Sequence, residues 1–172
     1  MATEFPANFT LIAAMNPFPC GHATDTNKSC ECSSYSVQRY RSKISGPLLD
    51  RIDMHVQVSS IPLIELQSSK TEETSSDIKK RVLRARKIQE KRFNNSGHIL
   101  CNTNLSPRQI NTFCCLPKDA RNLLENAMNK LNFSARSYHR ILKVSRTIAD
   151  LEGSPGILSN HIAEALHYRC LD

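Results

Sequence analysis

The stretch LNFSARSYHRILKVSRTIADLEG, residues 131–153, decides the fold of the C-terminal part of this chain. Ser134 stands where an N-cap side chain accepts the first free amides, and Gly153 stands where a helix ends in a left-handed residue. Positions at helical spacing define one largely apolar face between them: Tyr138, Ile141, Leu142, Ser145, Ile148 and Ala149. The sequence therefore predicts a helix over 135–152 whose apolar face packs in a bundle.

Four further segments show helical patterns. We predict helices over 77–93, 108–115 and 117–132, and a last helix that begins at Ser159. The pair Ser106 and Pro107 favours a helix start, because serine caps the free amides and proline tolerates the first helical position. The C-terminal part is thus predicted to be helical throughout.

The N-terminal part shows strand patterns instead. Residues 9–16 (FTLIAAMN) form an apolar run between two prolines, as in a strand buried on both faces, and residues 54–58 (MHVQV) alternate like a second strand. Residues 35–44 form a short basic helix. Two strands and one helix cannot bury a strand on both faces, so we expect further strands upstream of this part.

A change of composition separates the two parts. Residues 61–76 are rich in serine, threonine and glutamate, which is typical of a connection between domains. We predict a mainly α chain in three sections: a part with two strands and short helices over 1–60, a linker over 61–76, and a helical bundle over 77–172.

Composition narrows the class of protein. Hydrophobic residues make up 40% of the chain and charged residues 23%, near globular averages, and the apolar run at 9–15 is too short to cross a bilayer. Seven cysteines, two of them adjacent, do not resemble a secreted disulfide framework. We therefore expect a soluble cytoplasmic protein with reduced thiols and no membrane partner.

The net charge of +7 is concentrated in one predicted helix. Residues 77–92 carry eight lysines and arginines against two acidic residues. Such a face neutralises phosphates and favours nucleic acid, although a solvated helix face is the alternative. The candidate DNA contacts on this helix are Lys79, Lys80, Arg84 and Lys87.

The loop NPFPCGHATDTNKSCEC, residues 16–32, is a candidate metal site. Cys20, His22, Cys30 and Cys32 are suitable in kind for tetrahedral zinc, but structural zinc sites usually pair ligands two to four residues apart. A thiol-bearing insertion held by packing and turns is the alternative.

Three blocks carry a resemblance to a known family. FPANFTLIAAMNPFPCG, SGPLLDRIDMHVQV and the stretch quoted first, in this order, resemble the C-terminal third of the magnesium-chelatase-like AAA+ ATPases of the ComM (YifB) competence-protein family. The resemblance implies part of an AAA+ α/β core over 1–60 and a lid domain over 77–172. It also implies a homo-hexameric ring that binds ATP and Mg²⁺ and drives branch migration of DNA in transformation and recombination.

The same resemblance implies residue roles. Asn16 matches the sensor-1 asparagine, Arg51 the arginine finger presented to the neighbouring subunit, and Arg136 the sensor-2 arginine. The residues alone leave other interpretations open. Asn16 could be a strand-end asparagine that caps a turn, and Asp50 and Arg51 could form a surface ion pair. Arg136, Arg140 and Lys143, at i, i+4 and i+7, could form a solvated basic stripe.

Two features depart from the family pattern. The family commonly reads N-P-C-P-C-G in the cysteine loop, and Phe18 takes the place of its first cysteine, which argues against a four-thiolate site. The chain also has no G-x-x-x-x-G-K-[ST] motif, so we do not expect it to hydrolyse ATP by itself. The alternatives are a non-enzymatic nucleic-acid-binding module and a magnesium-chelatase-type subunit.

Overall fold

The computed structural model describes residues 3, 9–16, 18–21, 30–58, 61, 73–94 and 101–169. The chain divides into two compact units. One contains residues 1–45 and 59–62, and the other contains 46–58 and 63–172. No helix in the described part is long and apolar enough to cross a membrane.

The described residues are mainly helical, as the sequence predicts. The first unit contains α1 (Ser34–Arg41), and the second begins with the short α2 (Gly46–Leu49). The remaining helices of the second unit are α3 (Ser75–Phe93), α4 (Pro107–Phe113), α5 (Lys118–Lys130), α6 (Ala135–Glu152) and α7 (Ser159–His167), with a 3₁₀ turn at Asn102–Asn104.

Helix α6 is the central element of the second unit. It packs against α3, α4, α7 and the 3₁₀ turn, while α5 packs against α7. The predicted apolar face of α6 is buried: Ile141 and Ala149 are fully covered and Leu142 nearly so. These side chains join one core whose other members are Phe93, Leu105, Ile110, Cys114, Ala120, Leu124, Ile157, Ile162, Ala165 and Leu166.

The predicted ends of α6 and the predicted start of α4 are formed by local hydrogen bonds. The Ser134 hydroxyl accepts from the Ser137 amide, and Gly153 adopts a φ of 81° that terminates α6. The Ser154 amide then donates to the Ala149 carbonyl at 2.8 Å, which satisfies a C-terminal carbonyl of the helix. Ser106 and Gln109 form a capping box, with Pro107 at the start of α4.

The two predicted strands are wrong for the described residues. Residues 9–16 and 54–58 contain no sheet pairing, and Phe9 and Ile12 are 74% and 91% exposed. A strand needs a neighbour for its backbone groups, and the described part offers residues 9–16 no such partner. In the second segment, the His55 amide instead donates to the Tyr168 carbonyl at 2.7 Å, next to α7.

The predicted linker lies mostly outside the described residues. Of residues 61–76, the structure describes Ile61 and 73–76. The boundary therefore stays a prediction. Residues 46–58 pack within the same unit as α3 to α7.

A buried ion cluster joins three elements around α6. The Asp150 carboxylate accepts hydrogen bonds from Arg92 on α3, from Asn102 at 2.9 Å and from Arg146 at 3.1 Å. Arg146 also donates to the Ser154 and Pro155 carbonyls at 2.8 and 3.1 Å. Burial alone would raise the pKa of Asp150, but the hydrogen bonds and charges of these partners lower it. The carboxylate therefore stays ionised at neutral pH.

Replacing the central carboxylate should destabilise the second unit strongly. Asp150→Ala leaves two largely buried guanidinium groups without their partner, so we expect a loss of about 3–5 kcal/mol in the free energy of unfolding. Urea unfolding followed by far-UV circular dichroism measures it. The control, Glu125→Ala at an exposed position of α5, should change stability by no more than about 0.5 kcal/mol. A loss below about 1 kcal/mol for Asp150→Ala would contradict the role given to this cluster.

Candidate functional site

Arg51 lies in a tight turn that follows α2. The Asp50 amide donates to the Gly46 carbonyl at 2.9 Å, and the Arg51 amide donates to the Leu48 carbonyl at 3.0 Å. The guanidinium of Arg51 is exposed and donates to the Pro47 carbonyl at 2.7 Å. The turn thus presents a charged group at the surface of the second unit.

The neighbouring Asp50 is held by residues distant in sequence. Its carboxylate accepts from the Ser137 hydroxyl at 2.5 Å, the Ser134 hydroxyl at 3.1 Å and the Arg169 guanidinium at 3.0 Å. The Ser137 hydrogen bond is the main cause that lowers the pKa of Asp50, with further contributions from Ser134 and from the charges of Arg169 and Arg136. We call Asp50, Ser134, Ser137 and Arg169 the Asp50 cluster.

The predicted basic stripe of α6 is divided between structural and exposed roles. Arg140 pairs with Asp53 and donates to the Arg51 carbonyl, and Lys143 donates to the Thr103 carbonyl at 2.7 Å. Arg136 is exposed in the first turn of α6, near enough to Asp50 to lower its pKa. Arg51 directly follows Asp50 in sequence, and Arg136 lies between Ser134 and Ser137. Both arginines are therefore sequence neighbours of members of the Asp50 cluster, within one unit.

His55 packs beside the same turn. Burial, and secondly the charge of Arg169, lower the pKa of this imidazole. Its buried ring nitrogens have no hydrogen-bond partner among the described residues. At neutral pH the ring is therefore uncharged and contributes by packing, while its amide ties the segment to Tyr168.

Asn16 belongs to the first unit and is exposed before a turn. The Gly21 amide donates to the Phe18 carbonyl at 3.0 Å, which closes a turn with Cys20 at its third position. Gly21 has a φ of 75°, and a Cβ there would lie 3.4 Å from the Asn16 side chain. Glycine thus suits this position because of its left-handed backbone conformation.

Cys20, in this turn, lies beside two further thiols. The Sγ atoms of Cys20, Cys30 and Cys32 all lie within 4.8 Å of one another, and those of Cys20 and Cys30 are 3.5 Å apart. Hydrogen bonding to the Cys20 thiol raises the pKa of Cys32. His22, the fourth predicted ligand, lies outside the described residues. The loop therefore brings together three of the four predicted ligands despite their irregular spacing.

Helix α3 has two different halves. Its C-terminal half buries Ala85, Gln89 and Phe93 against the core, and the Phe93 ring meets Phe113 edge to face at 5.4 Å. The four predicted DNA contacts on this helix are all exposed: Lys79, Lys80, Arg84 and Lys87. Lys80 also pairs with Asp77 at 3.0 Å. The concentration of positive charge is thus at the surface.

Sequence reasoning missed the residues that hold Arg51 in place. The sequence offers Asp50 and Arg51 as neighbours that could pair, whereas Asp50 instead binds Arg169, 119 residues away. One local signal was available, because serine at both the cap and the third position of α6 places two hydroxyls on one face. No feature of the sequence identifies Arg169 as a partner of Asp50.

Comparison with known proteins shows the family to which this chain belongs. A family model described as magnesium chelatase, subunit ChlI, matches residues 1–66, and one described as magnesium chelatase, subunit ChlI C-terminal, matches residues 72–169. The second match covers more than half of the chain. The chain therefore belongs to the magnesium chelatase ChlI family, through its C-terminal domain.

Individual relatives refine this assignment. Competence protein ComM of Haemophilus influenzae is 45% identical over 169 residues, which is 98% of this chain and 32% of that protein. Proteins called YifB in Salmonella typhimurium and Escherichia coli are 38% and 37% identical, each over 98% of this chain and 32% of the relative. The chain spans about a third of the length of these curated relatives. It is the magnesium-chelatase-like C-terminal region of a ComM-type protein, which confirms the predicted resemblance.

Proposed function

We propose that this chain is the sensor, arginine-finger and lid portion of a hexameric AAA+ ATPase that processes DNA. The observation that carries the proposal is the exposed Arg51 guanidinium on a turn fixed to α6, the helix that also carries Arg136. Membership of the magnesium chelatase family supports it. The finger and sensor roles are those that the resemblance described in the sequence analysis implies.

Each arginine has a defined task in this scheme. Phosphoryl transfer spreads negative charge over the γ-phosphate oxygens, and a planar guanidinium delivered there stabilises that charge. Arg51 would enter the nucleotide site of a neighbouring subunit, while Arg136 would contact a nucleotide phosphate through the lid. Asn16 would orient the attacking water. ATP and Mg²⁺ would be held by a core outside this chain, because the sequence contains no phosphate-binding glycine loop.

The exposed apolar residues of the first unit are consistent with contact to the ATPase core of the complete protein. Phe9, Leu11, Ile12 and Met15 are each more than half exposed. An apolar patch of this kind marks an interface. We propose that residues 9–16 pair with and are covered by the sheet of the complete protein, whose relatives are about three times longer.

DNA is the proposed substrate of the complete protein. The name of the Haemophilus relative refers to competence, and the exposed lysines and arginines of α3 form a surface suited to phosphates. A duplex bound there would release counterions as its charge is neutralised. A module that binds nucleic acid without catalysis remains the second candidate, favoured by this same surface.

Zinc is the proposed ligand of the thiol cluster. Zinc–sulfur bonds of about 2.3 Å imply a tetrahedral edge of roughly 3.8 Å. The Cys20 and Cys30 sulfurs are 3.5 Å apart, and all three sulfurs lie within 4.8 Å of one another. The three thiols of Cys20, Cys30 and Cys32 would bind as thiolates, with His22 as the fourth ligand. The ion would then stabilise the loop.

Removing the finger should abolish hydrolysis without abolishing nucleotide binding. In the complete protein, Arg51→Ala should lower kcat for ATP by roughly 10³-fold, because the transition-state charge loses its partner. Steady-state ATPase assays and binding of a fluorescent ATP analogue measure the two effects. Arg121→Ala, at an exposed arginine of α5, is the matched control and should leave both unchanged. Loss of binding with unchanged hydrolysis per bound nucleotide would refute the finger role.

Neutralising α3 should weaken DNA binding in a salt-dependent way. Replacing Lys79, Arg84 and Lys87 by glutamine should reduce the slope of log K against log salt by as much as about 2.7, at about 0.9 per phosphate contact. Fluorescence anisotropy with a labelled duplex measures binding by this chain. The control replaces three exposed basic residues of α5, Lys118, Arg121 and Lys130, and should change the slope less. Equal slopes for both variants would exclude α3 as the binding face.

The metal proposal predicts one zinc ion per chain. After unfolding, chelation and refolding with zinc, mass spectrometry of the desalted protein should find one equivalent, and Cys30→Ser should lose it. Cys115→Ser, at an exposed cysteine after α4, should retain it. Zinc retained by Cys30→Ser, or absent from the unmutated chain, would show that the loop is held by packing alone.

A further inference from the structure

Arg169 follows α7 and is 8% exposed. One nitrogen of its guanidinium, Nη2, donates to the Asp50 carboxylate at 3.0 Å and to the Ser137 hydroxyl at 2.8 Å. The second terminal nitrogen, Nη1, donates to the Ile52 carbonyl. One buried side chain thus holds the residues on both sides of Arg51.

Helix α6 holds the same turn from another direction. Ser134 and Ser137 bind the Asp50 carboxylate, and Arg140 donates to the Arg51 carbonyl and pairs with Asp53. These three residues are spaced at i, i+3 and i+6, so they share one face of the helix. The turn is therefore fixed to the first two turns of α6, where Arg136 also lies.

We propose that Arg169 is a positioning residue for Arg51. By binding Asp50, Ser137 and Ile52, it joins the turn that carries Arg51, here called the finger turn, and the start of α6 into one rigid body. The proposal rests on the finger role given to Arg51 above. It adds that a displacement of the lid sensed at Arg136 moves the finger with it, because the two arginines are joined through the Asp50 cluster.

The chemistry of this position requires arginine. A guanidinium presents several N–H donors in a fixed plane and can serve a carboxylate, a hydroxyl and a carbonyl at once. A lysine keeps the charge but has one compact ammonium, and alanine leaves the Asp50 carboxylate to the two serine hydroxyls. The expected order of function is therefore arginine, then lysine, then alanine.

Hydrogen exchange of this chain tests whether Arg169 holds the turn. In Arg169→Ala, amide exchange over residues 50–55 should accelerate by at least tenfold, including the His55 amide bound to Tyr168. Exchange in the core of α6, from Ile141 to Ala149, should stay unchanged. Arg121→Ala is the control, and it should match the unmutated chain throughout.

ATPase kinetics of the complete protein test the consequence for Arg51. Because small misplacements of a catalytic group are costly, Arg169→Ala should lower kcat by roughly 10–100-fold, with KM for ATP changed less than twofold. Arg169→Lys should recover part of the loss. If Arg169→Ala does not fold, Asp50→Asn, which removes the charge while keeping the side-chain shape, should lower kcat in the same way.

The outcomes separate this proposal from the function on which it rests. Unchanged exchange over residues 50–55 would overturn the positioning role whatever the ATPase rate. Faster exchange with normal kcat would also overturn it, while the finger role would stand if Arg51→Ala is still inactive. Full activity of Arg51→Ala would refute the finger role and the positioning role together. Faster exchange throughout α6 would show that Arg169 is only structural.

Discussion

The second unit depends on the hydrogen bonds and ion pairs that the buried carboxylate of Asp150 accepts from three neighbouring residues. This carboxylate joins α3 through Arg92, the 3₁₀ turn through Asn102, and the loop after α6 through Arg146. An ionised group in a fully covered position is tolerated because its hydrogen bonds and opposite charges offset the loss of hydration. With this end of α6 fixed, the apolar face packs against α7, and the opposite end is presented in a defined orientation.

The Asp50 cluster repeats this chemistry at the start of α6, with one difference that matters for function. The Asp150 side chain is 0% exposed, whereas that of Asp50 is 27% exposed. The Asp150 carboxylate is thus covered by the protein. The Asp50 cluster lies at the surface, where Arg51 and Arg136 are both exposed. A rigid arrangement that reaches the surface suits the phosphate-contacting roles proposed for these two arginines.

The sequence predicted the elements much better than their partners. Helix α6 was predicted with its bounds, cap and apolar face, because all of these are local signals. The predicted strand at 9–16 was wrong, because a strand needs neighbouring strands that the described residues do not contain. Asp50 binds Ser137 and Arg169, at separations of 87 and 119 residues, which no local pattern reveals. The thiols of Cys20 and Cys30 lie 3.5 Å apart across an irregular spacing, which no local pattern reveals.

The pairing of Asp50 with Arg169 also leaves the Arg51 guanidinium available for the finger role proposed above. An acidic residue next to an arginine would ordinarily neutralise it, and a guanidinium bound to a carboxylate is a poor partner for a second anion. Here the Asp50 carboxylate accepts hydrogen bonds from two hydroxyls and a buried guanidinium. Arg51 donates to the neutral Pro47 carbonyl, a hydrogen bond worth about 0.5–1.5 kcal/mol. A phosphate offers a stronger, charge-assisted bond, so exchange of the carbonyl for a nucleotide oxygen is favourable. The cluster therefore fixes the backbone of the finger turn while leaving its charge free to act.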